Sequence, residues 1–100
     1  MAHVLVVYDI PHDGTRTKVA SICEDYGLDR VQYSAFAGEL QKVHQEELMA
    51  KLRRRLGKLP GKISLFAICE RDWRARIEIV REAKGSGTAE GEEGANAGGE

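Results

Sequence analysis

The chain has 100 residues, with 15 Lys and Arg against 16 Asp and Glu, and its formal net charge is −1. This length allows a single domain, and no apolar run approaches the roughly 18 residues of a membrane span. The two cysteines, Cys23 and Cys69, form no CxxC pair, which argues against a zinc knuckle or a disulfide framework. Together these properties predict a small cytoplasmic protein.

The first predicted elements are a strand and a helix. Residues 3–9 form a nearly continuous β-branched run, which favours a central strand covered on both faces. Pro, Asp and Gly in residues 10–14 indicate a turn, and Thr15 can cap the helix that follows. Apolar residues at helical spacing continue this helix to Gly27, which stands where a left-handed residue closes a helix.

The next part of the chain is predicted to hold three further strands and a second helix. Residues 29–40 alternate as a strand does, without a turn dipeptide before residue 37, which predicts one bent strand or two abutting pieces. A helix follows over residues 41–56, with no Ser, Thr or Asp to cap it. Residues 62–69 are predicted as a strand, 70–73 as a turn and 76–80 as a short last strand.

Alternating strands and helices within a short chain predict an α+β sandwich, in which an open sheet carries two helices on one face. We assign this domain to residues 1–84. Residues 85–100 contain four Glu, six Gly and no large apolar side chain, which predicts a disordered acidic tail. Without these four Glu, 12 acidic residues remain against 15 basic ones, a balance compatible with a polyanionic partner.

Asp9 ends the first predicted strand beside a loop with Pro and Gly, a common position for a metal-binding or acid–base carboxylate. The alternative is a turn-forming residue that bonds loop amides. Mg²⁺ takes one or two carboxylates and keeps several waters, and two copies of Asp9 across a two-fold axis would supply a pair. His12, three residues further on, is either a general acid or a polar surface residue.

The second predicted helix carries a basic stripe, whose members recur at i, i+3, i+4 and i+7. A phosphate backbone would bind such a stripe. The alternative is an ordinary solvated helix face, since helices need a polar side. The stripe consists of Lys51, Arg54, Arg55 and Lys58.

Other cations lie in two further groups. Arg16, Lys18 and Arg30 follow the loop or begin the next strand. They could hold phosphate oxygens beside Asp9 or pair with neighbouring carboxylates. Four arginines between residues 71 and 81 surround Trp73, a pattern that suits nucleic acid, although Trp73 could equally cover the core or a dimer seam.

Several short motifs follow one another in a fixed order. VLVVYDIP occupies residues 4–11, RTK residues 16–18, YG residues 26–27, RVQYSAF residues 30–36 and GEL residues 38–40. In this order and spacing they resemble the CRISPR-associated Cas-two family. The resemblance continues through the leucine-rich helix to residues 77–80 and covers about 80 of the 100 residues.

The resemblance implies a ferredoxin-like protomer that forms a homodimer and, in several members, a Mg²⁺-dependent endonuclease acting on RNA or double-stranded DNA. It also implies a bridging role between copies of the larger integrase, Cas-one, in spacer acquisition. A typical ferredoxin-like unit has a hairpin between its helices, which residues 29–40 do not predict. The resemblance places the metal at Asp9, in a catalytic site that includes Tyr8, Arg16, Arg30 and Phe36.

Two other functions stay open. In the first, the protein is a non-catalytic scaffold that binds the duplex backbone without sequence preference. In the second, it is a toxin-like ribonuclease outside CRISPR, because related small ferredoxin-like dimers exist there. The predicted nucleic-acid contacts are Arg16, Lys18 and the four residues of the basic stripe.

Overall fold

The computed structural model describes residues 2–82. The elements are β1 (Ala2–Asp9), α1 (Asp13–Asp25), β2 (Asp29–Gln32), β3 (Ala35–Leu40), α2 (Lys42–Leu56), β4 (Lys62–Ile68) and α3 (Glu70–Arg74). The predicted tail, residues 85–100, and the end of the predicted domain at residue 84 lie outside the described residues. None of the helices within residues 2–82 has the length and apolarity to cross a membrane.

The four strands form one antiparallel sheet in the order β2-β3-β1-β4. β1 is central, as its β-branched run predicts, because it pairs with β3 on one side and β4 on the other. Strand, helix, two strands, helix and strand in this spatial order make the ferredoxin-like arrangement. The predicted α+β sandwich is therefore confirmed.

The hydrophobic core lies between the sheet and the two long helices. Alternate residues of β1 point into it, since side chains of a strand alternate between the two faces. Val19 and Cys23 of α1 and Leu48 and Leu52 of α2 are fully buried. From the sheet, the core takes Val4, Val6, Tyr8, Phe36 and Leu40.

The opposite face of the sheet, which we call the outer face, carries the other residues of β1. Leu5 is half-buried there and Val7 is 38% exposed. Among residues 2–82, the prediction that β1 is covered on both faces therefore holds only at the beginning of the strand, where α3 packs against it.

The segment between the two helices is a hairpin, and the prediction of one bent strand or two abutting pieces was wrong. β2 and β3 pair antiparallel, with Gln32 opposite Ala35 and a turn at Tyr33 and Ser34. A shift in register between Arg30 and Gln32 accompanies this turn. Strand pairing and burial of Phe36 outweigh the absence of Gly, Asn or Asp at the turn, because strand preference depends on context.

The helix ends differ from the predictions at one of three places. His12, and not Thr15, precedes α1, and its Nδ1 accepts a hydrogen bond from the backbone N–H of Thr15 at 3.1 Å. Gly27 has a φ of 80°, as the predicted left-handed position requires. Gln41 begins α2 without a side-chain cap, as its sequence predicts.

The chain after β4 was predicted incorrectly. Glu70–Arg74 is a short helix and not a turn, and residues 76–80 form no strand. A strand needs a neighbouring strand to satisfy its backbone groups, and none lies beside residues 76–80 within the described chain. Three of these residues are instead highly exposed: Ile77 at 93%, Ile79 at 80% and Val80 at 74%.

Candidate nucleic-acid and metal-binding site

Asp9 lies at the end of β1 with its side chain on the outer face. It is exposed, and its partners across the sheet include Lys62 at the start of β4. Within residues 2–82, only His3, Glu39 and Glu70 form a group of three or more side chains suited to one metal ion. Asp9 belongs to no such group among these residues.

Tyr8, the residue before Asp9, points into the core on the other face. It is 3% exposed, and its ring stacks on Phe36 with 6.4 Å between the ring centres. Burial raises the pKa of the Tyr8 hydroxyl, and the nearby Arg30 guanidinium opposes that shift. Among the described residues, this hydroxyl has no hydrogen-bond partner.

Two arginines of the predicted catalytic site lie beside aromatic rings. The Arg30 guanidinium is 5.1 Å from the ring centre of Phe36, and that of Arg16 is 5.6 Å from the ring centre of Tyr33. Arg16 also donates to the carbonyl of Ile10 at 2.8 Å and pairs with the Asp13 carboxylate. Its main contacts therefore hold the loop between β1 and α1.

The predicted catalytic residues fall into two groups. Tyr8 and Phe36 are buried on the helix side of the sheet, with Arg30 against Phe36 and Arg16 at the loop above them. Asp9 lies on the outer face. Strand alternation in residues 3–9 already separates Tyr8 from Asp9, so this division was accessible from the sequence.

The basic stripe of α2 borders an open groove between α1 and α2, which we call the interhelical groove. Its volume is about 470 Å³. The Nζ of Lys51 lies 5.0 Å from the centre of the Tyr26 ring, which fixes the position of this cation. The lining consists of Lys18, Ser21, Ile22, Asp25, Lys51, Arg54 and Arg55.

The groove joins four of the six predicted nucleic-acid contacts. Lys18 of α1 comes together with Lys51, Arg54 and Arg55 of α2, although more than 30 positions separate it from them. Arg16 is committed to the loop, and Lys58 is exposed beyond the end of α2. The interhelical groove is therefore lined by four cationic side chains and one carboxylate, that of Asp25.

Two of the four arginines around Trp73 have partners among the described residues. Arg74 donates to Glu70 at 2.7 Å, and Arg76 lies over the Trp73 ring at 4.1 Å and 3.3 Å from Glu78. His12 likewise has a structural contact, the cap of α1. These contacts favour structural roles for Arg74, Arg76 and His12.

A feature that sequence reasoning missed is the cluster of His3, Glu39 and Glu70 on the outer face. Hydrogen bonds from His3 and then from Arg74 lower the pKa of the Glu70 carboxyl. The three residues are far apart in sequence, and only the pairing of β1 with β3 and the packing of α3 bring them together. No local motif predicts this arrangement.

Comparison with known proteins identifies the family. The family model for CRISPR associated protein Cas2 matches residues 1–76. The chain belongs to the Cas2 family. A relative in Chloroflexus aurantiacus, named CRISPR-associated endoribonuclease Cas2 2, is 46% identical over 72 residues, which make up 72% of this chain and 85% of that protein. The resemblance carried by the short motifs is thus confirmed.

A Cas2 domain also occurs within a larger relative. A protein of Thermoproteus tenax named CRISPR-associated endonuclease Cas1/endonuclease Cas2 fusion is 39% identical over 69 residues, which are 69% of this chain and 26% of that protein. In that relative, Cas1 and Cas2 are parts of a single polypeptide.

Solved structures agree with the fold. Streptococcus pyogenes Cas2 superimposes with a TM-score of 0.66 at 25% identity, over 79% of this chain and 99% of that one. A chain of a partial Cas6-RT-Cas1–Cas2 complex superimposes with a TM-score of 0.67 at 25% identity, over 79% of this chain and 91% of that one. The Cas2 fold thus extends over about four fifths of the chain.

Proposed function

We propose that this Cas2 protein is a homodimeric CRISPR adaptation protein and a Mg²⁺-dependent endonuclease acting on RNA or double-stranded DNA. It binds nucleic acid along the interhelical groove, has a paired Asp9 cleavage site on the opposite face of the sheet, and assembles with the larger integrase Cas1 in spacer acquisition. The proposal rests on family membership and on the outer face of the sheet, where Asp9 lies beside exposed apolar residues.

The outer face supports the homodimer. Phe66 of β4 is 54% exposed and Val31 of β2 is 45% exposed, while Leu5 lies between them on β1. Contiguous exposed apolar residues on a sheet mark an association surface. A second copy is the proposed occupant, because a chain of this length gains core from dimerisation and a two-fold interface is self-complementary.

This dimer would also complete the metal site. Asp9 shares the outer face with Leu5 and Val7, so an interface over these residues brings the Asp9 of each copy toward the two-fold axis. One exposed carboxylate from each chain fits the needs of Mg²⁺, which binds through one or two carboxylates and keeps several waters. When bound, the ion supplies a water of lowered pKa and neutralises charge on the phosphate.

Side chains of this chain bind the nucleic-acid backbone and hold the loop after Asp9. Lys18, Lys51, Arg54 and Arg55 of the interhelical groove bind phosphate oxygens without reading sequence, because backbone contacts position a duplex but do not specify bases. Arg16 holds the loop after Asp9 through the carbonyl of Ile10, and thereby fixes the end of β1.

The partnership with Cas1 is supported by the relatives. One of them joins Cas1 and Cas2 in a single chain, and a structural neighbour is part of a complex that contains Cas1. Residues 76–80 are exposed, and three of the five, Ile77, Ile79 and Val80, are apolar and β-branched. Such a segment is suited to pair with a strand of another chain.

The test compares cleavage of RNA and duplex DNA in Mg²⁺ and in EDTA by wild type, Asp9→Asn and the control Asp29→Asn. Asp29 is an exposed carboxylate at the start of β2. Wild type and Asp29→Asn should cleave in Mg²⁺ and not in EDTA. The cleavage rate of Asp9→Asn in Mg²⁺ should be lower by orders of magnitude. Equal cleavage by all three, after repurification to remove contaminating nuclease, would refute the site.

A second function, the non-catalytic scaffold, is favoured by one observation. The interhelical groove is complete within one chain, whereas Asp9 offers a single carboxylate. Spacer acquisition measured with the same Asp9→Asn variant separates the two functions. Acquisition retained without cleavage indicates the scaffold, and loss of both makes hydrolysis part of the pathway.

A further inference from the structure

The cluster missed by the sequence patterns lies at the other end of β1 from Asp9. The Nε2 of His3 is 2.7 Å from Oε1 of Glu70 and 3.7 Å from Oε2 of Glu39. The His3 side chain is only 8% exposed, while the two carboxylates are about half exposed. A buried imidazole nitrogen thus faces two carboxylates that solvent can reach.

Three elements and two supporting contacts hold these groups in place. His3 of β1 and Glu39 of β3 are direct partners across the sheet, and Glu70 is the first residue of α3. The His3 ring stacks on Trp73, with 4.7 Å between centres and 8° between planes. Arg74 holds the second oxygen of Glu70 at 2.7 Å. Contacts of this kind orient the ligands of metal sites.

The donor set points to a particular class of ion. One candidate ligand atom from each residue lies within 4.8 Å of the others, which gives one nitrogen and two oxygens. Imidazole with carboxylates suits Zn²⁺, whereas Mg²⁺ prefers oxygen ligands and retains its waters. Glu70 already pairs with Arg74, so Glu39 is the carboxylate whose negative charge favours a cation here.

We propose that His3, Glu39 and Glu70 bind one Zn²⁺ ion, with water in the fourth position. Tetrahedral bonds of about 2.0 to 2.2 Å place neighbouring ligand atoms roughly 3.3 Å apart. The observed separations of 2.7 and 3.7 Å from His3 lie on either side of that distance, and all three ligand atoms lie within 4.8 Å of one another, so the two half-exposed carboxylates would move toward the ion. The ion replaces the proton that links His3 to Glu70.

This site has a structural consequence distinct from cleavage. Zn²⁺ would fasten α3 to the centre of the sheet, since two of its ligands belong to β1 and β3 and the third to α3. The segment that follows α3, residues 75–82, would then leave the domain from a fixed point. The proposal goes beyond the nuclease function and does not depend on it.

The experiment uses the untagged full-length chain, freed of metal with a chelator and titrated with ZnCl₂ by calorimetry. We expect one Zn²⁺ per chain, and Glu39→Gln and Glu70→Gln should each weaken binding at least tenfold, because each removes one charged ligand. Co²⁺ in place of Zn²⁺ should show the visible absorption of a tetrahedral ion in wild type and lose it in both variants.

Three control variants separate this site from other donors. Glu46→Gln removes an exposed carboxylate of α2, Cys69→Ser removes the thiol next to Glu70, and Asp9→Asn removes the proposed nuclease carboxylate. All three should bind Zn²⁺ as wild type does. No binding by wild type, or binding that Glu39→Gln and Glu70→Gln leave unchanged, would show that the cluster is an ion pair only and overturn the proposal.

Discussion

Tyr8 and Asp9 are neighbours in the chain and lie on opposite faces of the sheet. The Tyr8 side chain is 3% exposed and packs on Phe36 in the core, whereas Asp9 is exposed on the outer face. The two residues therefore contribute differently to the proposed nuclease. Asp9 faces the surface where a second copy would lie, and Tyr8 supports the strand that carries it.

The first prediction concerns the outer face. Phe66→Glu should convert the proposed homodimer into a monomer, because it places a charge within the proposed apolar interface. Light scattering at micromolar concentration measures the mass. Val43→Glu, which alters a 55% exposed apolar residue of α2, is the matched control and should stay dimeric. A dimeric Phe66→Glu variant would place the interface elsewhere.

The second prediction concerns the interhelical groove. Arg54→Ala should weaken binding of duplex DNA and reduce the slope of log K against log salt by roughly 0.9, the value for one lost phosphate contact. Arg53→Ala is the matched control, because Arg53 is exposed on α2 but absent from the groove lining. Equal slopes for the two variants would show that the basic stripe is an ordinary solvated helix face and does not contact phosphate.

The third prediction concerns the buried thiol. Burial raises the pKa of Cys23 from 9.0 to about 11, so at neutral pH the thiolate is scarce as well as inaccessible. In a Cys69→Ser background, a disulfide reagent should label Cys23 only after denaturant is added. Rapid labelling of the native protein would show that α1 opens.

The same thiol predicts a pH dependence. A folded-state pKa above the unfolded value means that the native state retains the proton longer, so the free energy of unfolding falls as pH rises from about 9 to 11. The loss attributable to Cys23 is roughly 2 kcal/mol. Cys23→Ala should show a correspondingly flatter pH profile in chemical denaturation, and parallel profiles would contradict the assignment.

The last prediction concerns Phe36, which the family resemblance places in the catalytic site. Its side chain is fully buried, so Phe36→Ala should lower the free energy of unfolding by about 3 to 5 kcal/mol. Tyr33→Ala, at a 68% exposed position in the adjacent turn, should cost less than about 1 kcal/mol. Urea denaturation measures both. A small effect at Phe36 would remove it from the core and favour a direct catalytic role.

The sequence predicts the elements whose signals are local. The β-branched run of β1, the apolar spacing of both long helices and the left-handed position of Gly27 each depend on neighbours in the chain, and each was predicted correctly. The hairpin at Tyr33 was missed because pairing with a distant strand stabilises it. The segment after α3 reads as a strand, but a strand forms only where a partner edge is present.

In the candidate sites, too, the features that were predicted are those with a local signal in the sequence. The basic stripe was visible in the sequence, because its residues share one helix face. Lys18 was predicted as a nucleic-acid contact, but its position beside the stripe could not be predicted, since it depends on how α1 packs on α2. The cluster around His3 draws on three separate elements and left no pattern in the chain.

β1 sets the distance between the two proposed metal sites. His3 and Asp9 lie on the same face of this strand, six residues apart, so at about 3.3 Å per residue they are separated by about 20 Å. That distance exceeds the Debye length of about 8 Å at physiological salt, and charges so far apart at the surface are largely screened. The two sites should therefore load independently, with the affinity of one unchanged by the occupancy of the other, although a single eight-residue strand carries both.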